Sequence, residues 1–128
     1  MLQKMLEKNR KRLKRKAHIR KTISGTVDRP RMTVTKSNRN LSIQVIDDSQ
    51  CDSKGRIVGH TVAAASTLEK ELRDIKPTVE GAAKLGELMG KRLLENNIKS
   101  VVFDRNGYLY HGVVKAIADS VRKSGIVF

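Results

Sequence analysis

Hydrophobic residues recur along this chain in two rhythms. In residues 31–35 and 41–45, Met32 and Val34, then Leu41, Ile43 and Val45, alternate with polar neighbours. Both stretches predict strands with one buried face. The polar residues 36–40 between them predict a hairpin loop. Residues 57–65 predict a third strand, whose Ala and Gly content suits close packing from above. Residues 98–103 predict a fourth, ending on the apolar run Val101-Val102-Phe103.

The second rhythm is helical. Val79, Ala82, Ala83, Gly86, Met89, Gly90 and Leu93 share a stripe, and Thr78 is placed to cap the helix that carries them to about Asn96. Gly81, Gly86 and Gly90 each cost about 1 kcal/mol relative to Ala inside a helix. The expected gain is close approach to the sheet. From about Gly112, residues Val113, Val114, Ile117, Ala118 and Val121 form another stripe. Arg122 and Lys123 suit the negative end of that helix, and Gly125 suits a left-handed stop. Residues 68–75 predict a short helix or turn ending before Pro77. Asp104-Arg105-Asn106-Gly107 interrupts the last strand and helix with turn chemistry.

Short connections make the first three strands antiparallel. The third strand, the long helix and the fourth strand form a crossover, expected to be right-handed with parallel strands. The predicted fold class is α/β: a mixed four-stranded sheet, three antiparallel strands then one parallel crossover, packed by two helices, with a basic N-terminal arm. Residues 1–21 are the expected arm, 22–30 a linker and 31–128 the globular domain.

Charge gives the arm its meaning. The formal net charge is +14 over 128 residues. Residues 1–40 hold 14 of the 27 Lys and Arg against only Glu7 and Asp28, so the remainder is nearly neutral. Such a distribution predicts a polyanion partner. In the arm, Arg10, Lys11, Arg12, Lys14, Arg15 and Lys16 place six charges in seven positions, followed by His18, Arg20 and Lys21. Leu2, Met5, Leu6, Leu13 and Ala17 make a broken, thin stripe, which predicts a helix unable to hold itself to a core through hydrophobic area. Left alone, so dense a block repels itself and is expected to be disordered or frayed. A solvated tail, a nucleic-acid arm ordered by phosphates and a membrane-surface helix are its three readings. The last is weakened by the lack of Trp or Phe to insert. Arg29 within the linker and Arg31 just past it extend the basic character and join the RNA-contact candidates.

Other chemistry is sparse. Lone Cys51 allows no intramolecular disulfide and suits a reducing cytosol. No apolar run is long enough to span a bilayer, and the start lacks a signal-peptide core. The basic clusters are too dense and Lys-rich for a typical mitochondrial presequence. No phosphate-cradling glycine motif opens a helix. His18, His60 and His111 lack zinc spacing. Ser120, His111 and Asp104 are the residue types of a triad, without a nucleophile elbow. A metal-dependent nuclease would need Asp47, Asp104 and Asp119 to converge. The hairpin residues Lys36, Ser37, Asn38, Arg39 and Asn40 are either an ordinary solvated loop or a holder of phosphates and sugar hydroxyls. Arg105, Tyr108, Tyr110 and His111 at a helix start either bind a phosphate or base, or serve packing.

The run FDRNGYLYHG followed by VVKAIADSVRKSGIVF resembles the C-terminal signature of bacterial large-subunit ribosomal protein eighteen, a 5S rRNA-binding family. AAASTLEKEL resembles the segment after its third strand, RPRMTVTKSNRNLSIQVIDD its first hairpin, and the basic start its N-terminal arm. The resemblance implies a structural protein of the cytoplasmic ribosome that binds 5S rRNA and helps attach it to 23S rRNA in the central protuberance. It implies neighbouring large-subunit proteins as partners, and no enzyme activity, cofactor, membrane or small-molecule substrate. By position, Arg10 to Lys21, Ser37 to Asn40, and Arg105, Tyr110 and His111 become RNA-contact candidates. Val113 stands where the family usually has Arg, the aromatic common near Ser42 is absent, and the 47–60 connector is longer than usual. A non-specific RNA or DNA chaperone is the alternative from another class.

Overall fold

The alternating segments pair as the pattern predicts. The computed structural model describes residues 2–49, 51–56 and 58–128. In chain order the elements are α1 (Leu2–Thr22), β1 (Arg31–Lys36), β2 (Leu41–Asp47), β3 (His60–Ser66), a 3-10 turn (Lys70–Leu72), α2 (Val79–Glu95), β4 (Val102–Asp104) and α3 (Val113–Lys123). β1 pairs antiparallel with β2, and β2 with β3; the strand order is β3-β2-β1-β4. β4 runs parallel to β1, with Arg31 opposite Val102 and Thr33 opposite Asp104. The chain therefore crosses the whole sheet between β3 and β4.

Two strand boundaries move. β3 begins at His60 rather than near residue 57, and Ile57 lies outside the described residues. β4 begins at Val102. The residues before it turn to the C-terminus instead, where Ser100 bridges Val127 and the Val101 amide donates to the Val127 carbonyl at 3.1 Å.

Met32, Val34, Leu41, Ile43 and Val45 bury one face of the sheet beneath Ala82, Leu85, Met89 and Leu93 of α2 and Val114, Ile117 and Val121 of α3. Each large side chain removed from water this way contributes about 1.5–3 kcal/mol. Thr78 caps α2, accepting from the Gly81 amide at 3.2 Å. Val79, expected on the inner stripe, is 52% exposed, whereas Leu85, outside that stripe, is fully buried.

The glycines of α2 do not serve the sheet as expected. Gly86 and Gly90 lie against α3. A Cβ on Gly86 would stand 2.8 Å from Ser120 Cβ and 2.9 Å from the Ile117 carbonyl oxygen, and one on Gly90 would collide with Ser124. Ser120 Oγ uses the closeness to donate to the Ala83 carbonyl. Small residues thus let the two helices meet backbone to side chain.

The arm is helical and lacks a hydrophobic anchor, as its thin stripe predicts, but it is not frayed. α1 is one continuous helix, and its thin stripe is not its anchor: Leu2, Met5, Leu6 and Leu13 are all exposed. Ile19, 8% exposed, is its buried apolar residue. Polar side chains supply the rest of the attachment.

Candidate nucleic-acid interface

The attachment point is the turn between β4 and α3. Asn106 and Gly107 both adopt positive φ, 55° and 80°, as Asn-Gly readily does. The Tyr108 amide closes the turn on the Arg105 carbonyl at 3.0 Å. Asn106 Nδ2 donates to the Val34 carbonyl at 2.9 Å, tying the turn to β1. Asp104 is fully buried. Its Oδ1 accepts from the Asn106 amide at 2.9 Å, and its Oδ2 from Arg31 Nη1 at 2.9 Å.

α1 lies on this turn. Arg12 Nη1 donates to the Asn106 carbonyl at 3.0 Å, and Arg15 Nε to the Gly107 carbonyl at 2.9 Å. Arg20 Nε reaches Asp104 Oδ2 at 3.3 Å. The Arg12 guanidinium stands 4.9 Å from the centre of the Tyr108 ring. These contacts hold the helix on the turn: two carbonyls accept guanidinium hydrogen bonds, and a buried carboxylate offsets part of the charge. Lys16, half-buried on the same face, shows the cost. Burial lowers its pKa below the ordinary lysine value, and the neighbouring Arg20 and Arg12 lower it further.

Arg31 faces inward. Its Nε and Nη2 donate to Asp48 at 2.9 and 3.2 Å while Nη1 holds Asp104. The hydrogen bond to Asp48 raises the Arg31 pKa and holds the Asp48 carboxyl below the usual carboxylate range. Arg105 is turned to its own loop, donating to the Tyr108 carbonyl at 2.8 Å. Both expected RNA-contact arginines thus have internal partners.

The other arm candidates are free of such work. At 3.6 residues per turn, Arg10, Lys11, Lys14, His18 and Lys21 fall away from the face that carries Arg12, Arg15 and Ile19. All five are exposed, and their side chains have no hydrogen-bond or ion-pair partner among the described residues.

The β1–β2 loop rises beside the arm. Ser37 Oγ accepts from the Asn40 amide at 3.1 Å, and Asn40 Oδ1 accepts from Thr67 Oγ1 at 3.1 Å, so these two side chains build the loop. Lys36, Asn38 and Arg39 are exposed on it. Lys36 Nζ stands 5.4 Å from the Tyr108 ring centre. Between α1 and this loop runs a groove of about 970 Å³, walled by Lys8, Arg12, Arg15 and Lys36, with Leu41, Tyr108 and Val113 among its lining. Lys8 was not among the expected contact residues. Its spacing of four and seven from Arg12 and Arg15 is the sequence signal that places it on their face.

Arg29, Tyr110 and His111 do not line this groove. Arg29 sits in an exposed turn closed by Thr26, and His111 is exposed. Tyr110 packs edge-on against Phe103 with ring centres 5.9 Å apart, and its hydroxyl accepts from Arg122 at 3.0 Å. The residues suspected of nuclease chemistry do not gather either. Asp104 is committed to Arg31 and Arg20, and Asp119 pairs with Arg122 at 3.9 Å. Among the described residues no group of His, Cys, Asp and Glu could hold a metal ion, and no helix is long and apolar enough to cross a membrane.

Comparison with known proteins gives this basic surface its context. The sequence model of the family described as ribosomal L18 of archaea, bacteria, mitochondria and chloroplasts matches residues 6–128. The chain belongs to that family. It is 61% identical over 122 residues to the large ribosomal subunit protein uL18 of Treponema denticola, covering 95% of each chain. Its identity to the protein of that name from Treponema pallidum is 54% over 128 residues, covering 100% of both. With that of Dictyoglomus turgidum it is 50% over 129 residues, covering 97% of this chain and 99% of the relative. The chain is therefore a structural protein of the large ribosomal subunit, not an enzyme, and the cytoplasmic ribosome is where it works. Within the family frame, Val113 has a clear place: it is half-buried, packs against the core and lines the groove.

Proposed function

We propose that this ribosomal protein binds 5S rRNA and helps attach it to 23S rRNA in the central protuberance, with other large-subunit proteins beside it. The observation that carries the reading is the uncommitted basic face of α1, Arg10, Lys11, Lys14, His18 and Lys21, standing next to a groove walled by further cations. Paired RNA hides its base edges in a deep, narrow groove, so a protein meets it through phosphates, 2′-hydroxyls and unpaired bases. Exposed lysines and arginines neutralise phosphates and release counterions. Lys36, Asn38 and Arg39 extend that surface onto the β1–β2 loop.

A filter-binding titration of 5S rRNA against salt tests this. Each phosphate contact adds about 0.7–0.9 to the slope of log affinity against log salt. The intact chain should show a steep slope, and removal of residues 1–21 should flatten it by several such increments. An unchanged slope after that deletion would refute the arm as the source of affinity.

A further inference from the structure

One arginine outside both the arm and the groove is held with half of its donors open. Three of the chain's four aromatic side chains, Phe103, Tyr110 and Phe128, gather at the edge strand β4. Phe103 and Phe128 stack with ring centres 5.8 Å apart, and Tyr110 meets Phe103 edge-on. The Arg122 guanidinium, from the last turn of α3, lies over the Phe128 ring, 4.4 Å from its centre. Its Nη1 donates to the Tyr110 hydroxyl at 3.0 Å. The same nitrogen stands 3.9 Å from Asp119, an exposed pair of small worth. Nε and Nη2, on the other edge, have no partner among the described residues, and the side chain is 46% exposed.

We infer that this open edge of Arg122 holds a phosphate of the 5S rRNA, with Tyr110 as the residue that positions it. This rests on the RNA-binding reading above and deepens it, adding a contact that does not depend on α1. The Nε and Nη2 donors form a fork that matches two phosphate oxygens. The ring beneath and the hydroxyl beside it restrain the side chain, so it loses less freedom on binding than a cation that swings in solvent. Arg31 shows the opposite case, since carboxylates occupy all three of its nitrogens. The surroundings favour RNA over an acidic protein. The turn that brings Tyr110 here also gives Tyr108 to the groove walled by Lys8, Arg12, Arg15 and Lys36, and Lys123 beside Arg122 is exposed. One nucleic-acid surface can therefore run from the groove round the turn to Arg122.

The test measures affinity of the full chain for 5S rRNA, the slope of log affinity against log salt, and the urea midpoint. Arg122→Gln should lower affinity by about tenfold, the worth of one charge-assisted hydrogen bond, and lower the slope by about 0.7–0.9. Tyr110→Phe keeps the ring and every charge but frees the guanidinium, so affinity should fall severalfold with the slope unchanged. Lys84→Gln, which removes one exposed charge from α2, should leave both unchanged. Should Arg122→Gln fail to fold, Arg122→Lys carries the test: it keeps the charge and lacks the fork, so affinity should fall while the slope holds. An Arg122→Gln chain with a lower urea midpoint but the affinity and slope of the intact chain would overturn the inference and make the arginine a packing residue. Unchanged affinity, slope and midpoint would also overturn it, leaving the fork to a carboxylate of a neighbouring protein. A Lys84→Gln effect as large as that of Arg122→Gln would reduce the result to general charge and overturn it too. An intact chain with no affinity for 5S rRNA would overturn the RNA reading itself, whereas a failure confined to the Arg122 variants would overturn this inference alone.

Discussion

Asp104→Asn tests the tie between arm and globule. The carboxylate is fully buried and serves three donors: Arg31 at 2.9 Å, Arg20 at 3.3 Å and the Asn106 amide at 2.9 Å. Asparagine offers one acceptor oxygen. If it keeps the Asn106 amide, its NH2 faces two guanidiniums, donor against donor. Breaking a buried ion pair from one side costs about 3–5 kcal/mol. Arg31 retains Asp48, so its charge is not left bare, and a lost charged hydrogen bond of about 1.5–3 kcal/mol is the better figure for it. The Arg20 side chain is 37% exposed and adds less than about 1 kcal/mol. The expected destabilisation is thus about 2–4 kcal/mol, a large share of the 5–15 kcal/mol typical of a domain. Urea unfolding followed by circular dichroism measures it as a lower midpoint at constant m. A loss below about 0.5 kcal/mol, the range of ordinary surface substitutions, would refute the reasoning that Asp104 binds α1, β1 and the turn together.

Three further outcomes follow from the packing and the charges. Gly86→Ala gains about 1 kcal/mol of helix propensity but forces a methyl against the Ile117 carbonyl at 2.9 Å, where overpacking costs about 1–3 kcal/mol; a net loss in denaturant midpoint is expected, and a gain would show that the α2–α3 contact yields easily. The Asp48 carboxyl is held below its unfolded value by Arg31, so its contribution is present above about pH 4 and is lost as pH falls through the lower folded value. An acid titration of stability should therefore become shallower below pH 4 in Asp48→Asn, and an identical acid limb would contradict this. For Lys16 the sign is opposite: burial disfavours its charged form, a cost present at neutral pH and removed as pH rises through the folded pKa. Lys16→Met should raise the melting temperature at pH 7, and a fall of several degrees would show that the ammonium is stabilising.

What could be read from sequence depended on range. The β1–β2 hairpin, the Thr78 cap and the α3 stripe are local patterns, and each lies within a residue or two of its expected place. β4 was displaced because its partner, β1, is about 70 residues away, and no local period records that pairing. Gly86 and Gly90 announce a close approach, but not which element approaches. The arm was hardest. A docking arginine and a phosphate-binding arginine are the same residue, and only the placement of the Asn106 and Gly107 carbonyls tells them apart. Arg31 hid for the same reason, since Asp48 and Asp104 reach it from distant positions. The basic nature of the surface was legible throughout, because charge needs no geometry to be counted.

The proposed role requires selective recognition of 5S rRNA rather than general attraction to polyanions. Competition measures this directly: labelled 5S rRNA bound to the intact chain at physiological salt, challenged with unlabelled 5S rRNA or bulk tRNA. A structured rRNA partner predicts that tRNA competes more weakly by on the order of a thousandfold. Equal competition by the two RNAs would contradict the account and leave a non-specific nucleic-acid chaperone in its place.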